Sequence, residues 1–238
     1  VEAAWSAADT EVFARYGDAF VPHRRAQIDI VCRLLADIPV PRVLDLCCGE
    51  GLLSEEYLRR QPDAEVLLFD GSADMLAAAE RRLERFRPRF SAVQADIADR
   101  GWRSATRFGG VMTSLAVHHL DGAGKRELYR DLCSMLEPGG MFVMADLIEP
   151  AGPLAKNLAA DEWDSAVRSA SRELYGSDEA AEVFEREEWN YFRLPGPDPL
   201  DRPSSVAEHL TWLAEAGFVE VDVVWLYAGH AVFTARKP

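Results

Sequence analysis

Two kinds of hydrophobic pattern alternate along the chain. Pro41-Arg-Val-Leu-Asp-Leu46, Glu65-Val-Leu-Leu-Phe-Asp70, Arg89-Phe-Ser-Ala-Val-Gln94, Phe108 to Leu115 and Met141 to Leu147 are short runs whose apolar residues scarcely alternate with polar ones. Such runs predict strands buried on both faces. Between them, Leu52 to Arg60, Ala73 to Phe86 and Lys125 to Leu136 have helical spacing; Met75, Leu76, Ala79 and Leu83 make the clearest stripe. Pro138-Gly-Gly140 is expected to stop the third helix before the fifth strand begins. Strand followed by helix, repeated, predicts an α/β fold with a mostly parallel, doubly wound sheet.

The flanks read differently. Glu11 to Ile38 is helical, interrupted near Pro22. Residues 151–205 hold no convincing strand. They read as two helices, Leu154 to Tyr175 and Asp178 to Tyr191, followed by a Pro-rich loop from Leu194 to Pro203. Ser204 to Gly217 is a further helix with a serine cap and a terminal glycine. Val219 to Tyr227 and Gly229 to Ala235 are strands joined so closely that they must run antiparallel. The expectation is one domain over 1–238, with an N-terminal helical lid (1–38) and a helical lid inserted after the fifth strand (151–205).

Charge narrows the partners. Lys and Arg number 26 against 40 Asp and Glu, a net charge of −14. A surface this acidic repels phosphate backbones, so nucleic acid is disfavoured. The cysteines Cys32, Cys47, Cys48 and Cys133 form no Cys-x-x-Cys pair and show no zinc spacing. They suit reduced thiols in a cytoplasmic protein. No apolar run approaches the ~18 residues of a membrane span, and no charged head precedes an apolar segment at the start.

The richest chemistry lies in Val43-Leu-Asp-Leu-Cys-Cys-Gly-Glu-Gly51. A strand ends, Asp45 sits at its tip, and a turn bearing Gly49 and Gly51 feeds a helix. Glycines there let a ligand approach the backbone. Asp70 ends the second strand, where a carboxylate can accept both hydrogens of a ribose diol. Asp96, after the third strand, can accept from an adenine amino group while Ile97 packs the ring. A dinucleotide site would hold pyrophosphate at the helix start. Asp45 before the turn and Glu50 inside it oppose pyrophosphate. They suit a phosphate-free cation such as S-adenosylmethionine (SAM).

These segments, with Asp70-Gly-Ser-Ala-Asp-Met-Leu76, Ala95-Asp-Ile97, Ser114-Leu-Ala-Val-His-His-Leu120, Leu136-Glu-Pro-Gly-Gly-Met-Phe-Val143, Ala216-Gly-Phe-Val219 and Ala231-Val-Phe-Thr234, resemble the class I SAM-dependent methyltransferases. The resemblance spans nearly the whole chain. It implies a seven-stranded sheet whose last strand is antiparallel, SAM bound over the strand C-termini, and S-adenosylhomocysteine as product. It implies cofactor contacts at Asp45, Cys47, Gly49, Gly51, Asp70, Gly71, Met75, Asp96, Ile97 and Leu115. Two positions depart from the family. Cys47 stands where the loop's first glycine is usual, which reads as a tolerated small-residue change. Gly109 and Gly110 occupy a stretch of the fourth strand where an acid is frequent, and read as local loosening.

The lids are expected to choose the substrate. Tyr16 or Phe20 could pack on the methionine arm of SAM, and Arg24 or Arg25 could pair its carboxylate. The plainer alternative is an amphipathic helix with solvated arginines. Phe20, Trp163, Arg168, Trp189 and Tyr191 could wall an acceptor, against the alternative that the aromatics only pack the insertion onto the sheet. His118 or His119, after the fourth strand, could take an acceptor proton. His230 is a weaker candidate, and His23 and His209 read as surface residues. No metal site is legible. The implied function is methyl transfer to an O or N atom of a small molecule by in-line displacement. A tRNA-modification enzyme similar to carboxy-SAM synthase and a SAM-binding regulator without turnover are the alternatives. A homodimer is compatible with all three.

Overall fold

A computed structural model describes residues 7–103, 106–196 and 200–238. Residues 1–6 of the expected N-terminal lid and 197–199 of the expected Pro-rich loop lie outside the described residues. The chain runs α1 (Ala7–Phe20), α2 (Arg24–Leu34), β1 (Arg42–Leu46), α3 (Leu52–Arg60), β2 (Glu65–Asp70), α4 (Ala73–Leu83), β3 (Phe90–Gln94), β4 (Phe108–Ser114), α5 (Gly122–Met135), β5 (Leu136–Leu147), α6 (Pro153–Tyr175), α7 (Glu179–Arg186), α8 (Val206–Glu215), β6 (Val219–Tyr227) and β7 (His230–Arg236). Short 3-10 turns cover Glu84–Phe86, Val117–His119 and Tyr191–Arg193.

The seven strands form one sheet in the order β3-β2-β1-β4-β5-β7-β6. β1 pairs parallel with β2 and β4, β2 with β3, and β4 with β5. β7 runs antiparallel to both neighbours. The order reverses between β1 and β4, and a doubly wound sheet opens a crevice at the strand C-termini there. One core, built on Leu44, Leu46, Phe142 and Phe233, lies beneath α5 and α8. The other, on Val43, Leu68, Met112 and Val143, lies beneath α2, α3 and α4. The sheet is thus covered on both faces, as its continuous apolar strands require.

Two local expectations are corrected. Pro138-Gly-Gly140 does not precede β5 but lies within it, with a bulge opposite Phe108 and Gly110. Gly139 N–H donates to Lys237 O and Lys237 N–H to Gly140 O, so the chain's far end holds the segment in the sheet. Gly109 and Gly110 do not loosen β4. They are where the segment before β1 presses on it. A Cβ on Gly109 would lie 1.9 Å from Val40 O, and one on Gly110 would lie 2.7 Å from Leu35 Cδ2.

The flanking helices join above the sheet. α1, α6 and α7 share a third core in which Phe20, Trp163, Phe184 and Phe192 meet. Phe20 packs on Phe184 and Trp189 at ring separations of 5.1 and 5.2 Å. The two lids expected from sequence are therefore one packed unit. His209 is not a surface residue: it is buried on α8, its Nδ1 2.6 Å from the Tyr129 hydroxyl. Among the described residues, no helix is long and apolar enough to cross a membrane.

Candidate functional site

The crevice is a cavity of about 1070 Å³ between the C-terminal edge of the sheet and the helical unit above it. Its floor begins at the turn after β1. Cys48 N–H donates to Phe69 O and Gly51 N–H to Cys48 O, both at 2.9 Å, which ties the turn to β2. Gly49 and Gly51 have positive φ (52° and 77°), as glycines permit. A Cβ on Gly49 would meet no protein atom within 4 Å, so the space above it is open to a ligand. Gly51 does not line the cavity. It starts α3 and packs against Ala79, so its part is structural.

Cys47 also has positive φ, 57°. The substitution is therefore a strained one, costing on the order of 1–2 kcal/mol for a residue with a Cβ. Its thiol lines the cavity, and burial followed by the charges of Asp70 and Asp45 pushes the thiol pKa well up. It is no reactive thiolate.

The acids of the floor differ from one another. Asp70 closes β2, with one oxygen accepting from Gly49 N–H and the other from Ser72 N–H, each at 2.9 Å. Ser72 caps α4, its hydroxyl accepting from Met75 N–H, which brings Gly71 and Met75 to the cavity wall. Asp96 and Ile97 line the far end of this floor, and Asp96 accepts Ala98 N–H at 2.8 Å. Asp45 is buried beneath the turn, accepting the Ser54 hydroxyl at 2.5 Å. Burial raises its pKa to about 7; the Ser54 hydrogen bond opposes the rise and the Asp70 charge adds to it.

Asp45 thus carries a pH signature. Folded, it holds its proton up to about 7; unfolded, it releases it near 4. The folded chain binds the extra proton between those values, so this residue's contribution to stability falls as pH rises from about 4 to 7. Relative to Asp45→Asn, the wild type should lose on the order of 4 kcal/mol across that window and stay level above it. Urea unfolding of both proteins at several pH values checks this; a constant difference would refute it.

The wall after β4 brings the histidines in. Leu115, also at positive φ (53°), lines the cavity and donates its N–H to Ala145 O. His118 Nδ1 lies 2.5 Å from Asp146 Oδ1, and Asp146 Oδ2 accepts His118 N–H at 3.0 Å. His119 Nδ1 and His118 Nε2 both face Asp201 Oδ1. Burial alone would lower the His118 pKa, but Asp146 and Asp201 outweigh it and raise it to about 10. Burial likewise opposes the ionisation of Asp146, and His118 reverses it. The two carboxylates thus favour the protonated ring at His118, where the sequence suggests a neutral base. His230 is the opposite case. Its Nδ1–H donates to Ala228 O at 2.8 Å, and burial lowers its pKa to about 4, leaving a neutral ring that lines the cavity.

The roof separates the lid candidates. Phe20, Trp163 and Trp189 line the cavity. Trp163 donates its indole N–H to Phe20 O at 2.7 Å and meets His230 edge-on at 4.6 Å. Arg24 lines the cavity while pairing with Asp18 at 3.0 Å. Three candidates fall elsewhere. Tyr16 gives its hydroxyl to Glu179 at 2.5 Å within the contact of α1 with α7. Arg168, one position past the inward Val167, is exposed and opens on a separate hollow with Asp164 and Glu185. Tyr191 packs against Phe192 and under Lys156, outside the cavity.

Sequence reasoning overlooked Asp146, Asp201 and Lys125. Lys125 is fully buried, its ammonium bonded to Arg202 O and to Ser204 Oγ (2.9 Å), and burial lowers its pKa to about 8. It pins the loop that carries Asp201. Only Asp146, an acid ending an apolar strand as Asp45 and Asp70 do, left a readable signal.

Residues 43–140 match the model of the methyltransferase domain family. The chain is 31% identical over 154 residues to a trans-aconitate 2-methyltransferase of Acidovorax sp. (strain JS42), covering 63% of this chain and 56% of that relative. It is 31% identical over 145 residues to an uncharacterized methyltransferase of Synechocystis sp., covering 59% and 65% respectively. The chain thus spans little more than half the length of the first of these relatives. In fold it is similar to an O-methyltransferase family protein from Burkholderia thailandensis, with a TM-score of 0.69 at 16% identity, covering 96% of this chain and 59% of that one. The matched segment runs from β1 into β5, the part of the sheet that carries the turn, Asp70, Asp96 and His118. Sheet order, turn and sequence match agree: residues 43–140 match a methyltransferase domain, and the chain is similar in fold and sequence to SAM-dependent methyltransferases of class I.

Proposed function

We propose that the protein transfers a methyl group from SAM to an oxygen or nitrogen atom of a small-molecule acceptor. The observation that carries this reading is the cavity itself. Its volume, about 1070 Å³, is at the upper end of the ~300–1,000 Å³ of small-molecule sites, room for a nucleoside cofactor with a small acceptor. Asp70 and Asp96 are placed to hold the ribose and adenine, the open space over Gly49 to admit the chain between them, and Arg24 to meet a carboxylate. When bound, SAM would supply an electrophilic methyl carbon whose bonding pair leaves with sulfur; a carboxylate acceptor would need no proton removed, and a hydroxyl or amine would release its proton to water. The chain's part is to align acceptor and methyl and to exclude water, which Phe20, Trp163 and Trp189 do from above.

A macromolecular acceptor fits less well. Of the four cavity-lining arginines among the described residues, Arg15, Arg24 and Arg82 each have acidic partners, Glu179, Asp18, and Glu50 with Glu55, which leaves Arg202 too few basic neighbours to form a basic track. The relatives named for trans-aconitate make small carboxylic acids the first acceptors to try. With methyl-labelled SAM and a panel of small acids, phenols and amines, label should reach at least one member. Label found only in tRNA or protein, or tight SAM binding with no turnover on any acceptor, would sink the reading.

Trp163 tests the roof. Trp163→Phe keeps most of the packing but removes the hydrogen bond to Phe20 O. It should lower kcat/KM for the acceptor by about 10-fold, the loss of roughly one hydrogen bond, with SAM affinity unchanged. Equal losses in both would make Trp163 a support of the whole cleft, not of its acceptor end.

A further inference from the structure

Two segments far apart in sequence converge on one point of the cavity wall. His118 and His119 come from the 3-10 turn after β4, and Asp201 from the loop before α8. Their ligand atoms all lie within 4.8 Å of one another. Asp201 Oδ1 is 3.4 Å from His118 Nε2 and 3.1 Å from His119 Nδ1. The first distance is long for an N–H···O hydrogen bond. Both are near the ~3.3 Å that separates ligands placed tetrahedrally at 2.0–2.1 Å around a zinc-sized ion.

The surroundings prepare these groups as ligands. Asp146 receives both the Nδ1 and the backbone N–H of His118, which fixes the ring and leaves Nε2 directed at Asp201. A carboxylate on the far nitrogen is the usual support of a metal-bound histidine. The Asp201 loop is held as firmly: Arg202 N–H donates to His118 O at 2.7 Å, and buried Lys125 grips Arg202 O and Ser204 Oγ. All three candidate ligands line the cavity.

We propose that His118 Nε2, His119 Nδ1 and the Asp201 carboxylate bind a first-row divalent cation of the Zn²⁺ type, the ion displacing the Nε2 proton of His118 to solvent and keeping a coordination position open to the cavity. Two imidazoles and one carboxylate select such an ion over Mg²⁺ or Ca²⁺, which prefer oxygen ligands throughout. In the open position the ion takes an oxygen of the acceptor, orients it and eases loss of its proton. That use of the ion rests on the methyl-transfer reading; the binding does not.

The test is therefore metal binding without SAM. The full chain, stripped with chelator and dialysed, is titrated with Co²⁺ while its visible absorption is followed, and with Zn²⁺ by calorimetry. One saturable site with the intense bands of low-coordinate Co²⁺ is expected. His119→Gln and Asp201→Asn should weaken it by about 100-fold or more, and Asp146→Asn by about 10–100-fold. His119 is half exposed, so its variant keeps the fold, which circular dichroism verifies. Absence of saturable binding, or equal binding by wild type and His119→Gln, overturns the proposal. SAM affinity of the stripped chain, measured in parallel, shows separately whether the cofactor site stands.

Discussion

Gly109→Ala is expected to destabilise the protein by about 3 kcal/mol or more, a large part of a typical domain's stability. The added Cβ would fall 1.9 Å from Val40 O, 2.8 Å from Val40 C and 2.9 Å from Val40 N. All three are backbone atoms, so no rotamer change relieves the clash. Neither partner can easily withdraw. Val40 O already accepts Arg42 N–H at 2.8 Å, and β4 lies between β1 and β5 near the centre of the sheet. The neighbouring Gly110→Ala makes the control. Its Cβ would meet Leu35 Cδ2 at 2.7 Å, the tip of a side chain that can turn aside, and should cost only about 1–3 kcal/mol. Urea unfolding of the two variants decides the point. A Gly109→Ala protein within about 1 kcal/mol of wild type, or a larger loss at Gly110, would mean that the segment before β1 yields.

Those glycines show why part of the fold was not legible. A Gly-Gly pair in a strand reads locally as weakness, and nothing near it names Val40 or Leu35 as what it accommodates. Pro138-Gly-Gly140 misleads in the same way. It carries stop signals, yet Lys237 at the far end of the chain holds it in β5. What was legible is what depends on local pattern alone. The bilateral burial of five parallel strands follows from their unbroken apolar runs. The antiparallel β6–β7 pair follows from its short connection, and the start of α8 from its serine cap with Glu208 in a capping box.

The site divides along the same line. Asp70, Asp96, Gly49, Met75 and Leu115 sit on strand ends and their turns, so the order of the strands brings them to one edge. Residues on the helices above needed more than periodicity. Tyr16 and Arg168 have types suited to a site, but their places on α1 and α6 turn them to Glu179 and to solvent. The histidines are legible by position but not in charge, because Asp146 and Asp201, whose negative charges favour a proton on His118, come from another strand and a distant loop. Asp201 lies in an irregular segment with no pattern to mark it.

Asp70→Ala should weaken SAM binding by about 100-fold or more. Two ribose hydroxyls donating to one carboxylate are charged hydrogen bonds, each contributing about 1.5–3 kcal/mol, and about 2.7 kcal/mol already corresponds to 100-fold in Kd. The same carboxylate also receives Gly49 N–H and Ser72 N–H. Removing it therefore loosens the turn as well, at roughly 1–2 kcal/mol of stability, since both hydrogen bonds are only partly buried. The two effects have different remedies. Asp70→Asn keeps a carbonyl oxygen for one of the two amides and recovers part of the stability. Its amide nitrogen cannot accept a hydroxyl proton, so SAM affinity should stay at least about 10-fold below wild type. Calorimetric titration with SAM beside urea unfolding separates the outcomes. If affinity recovers in step with stability, Asp70 acts only by holding the turn, and the ribose must be sought elsewhere. If affinity stays low while stability returns, the carboxylate is the group that meets the ribose.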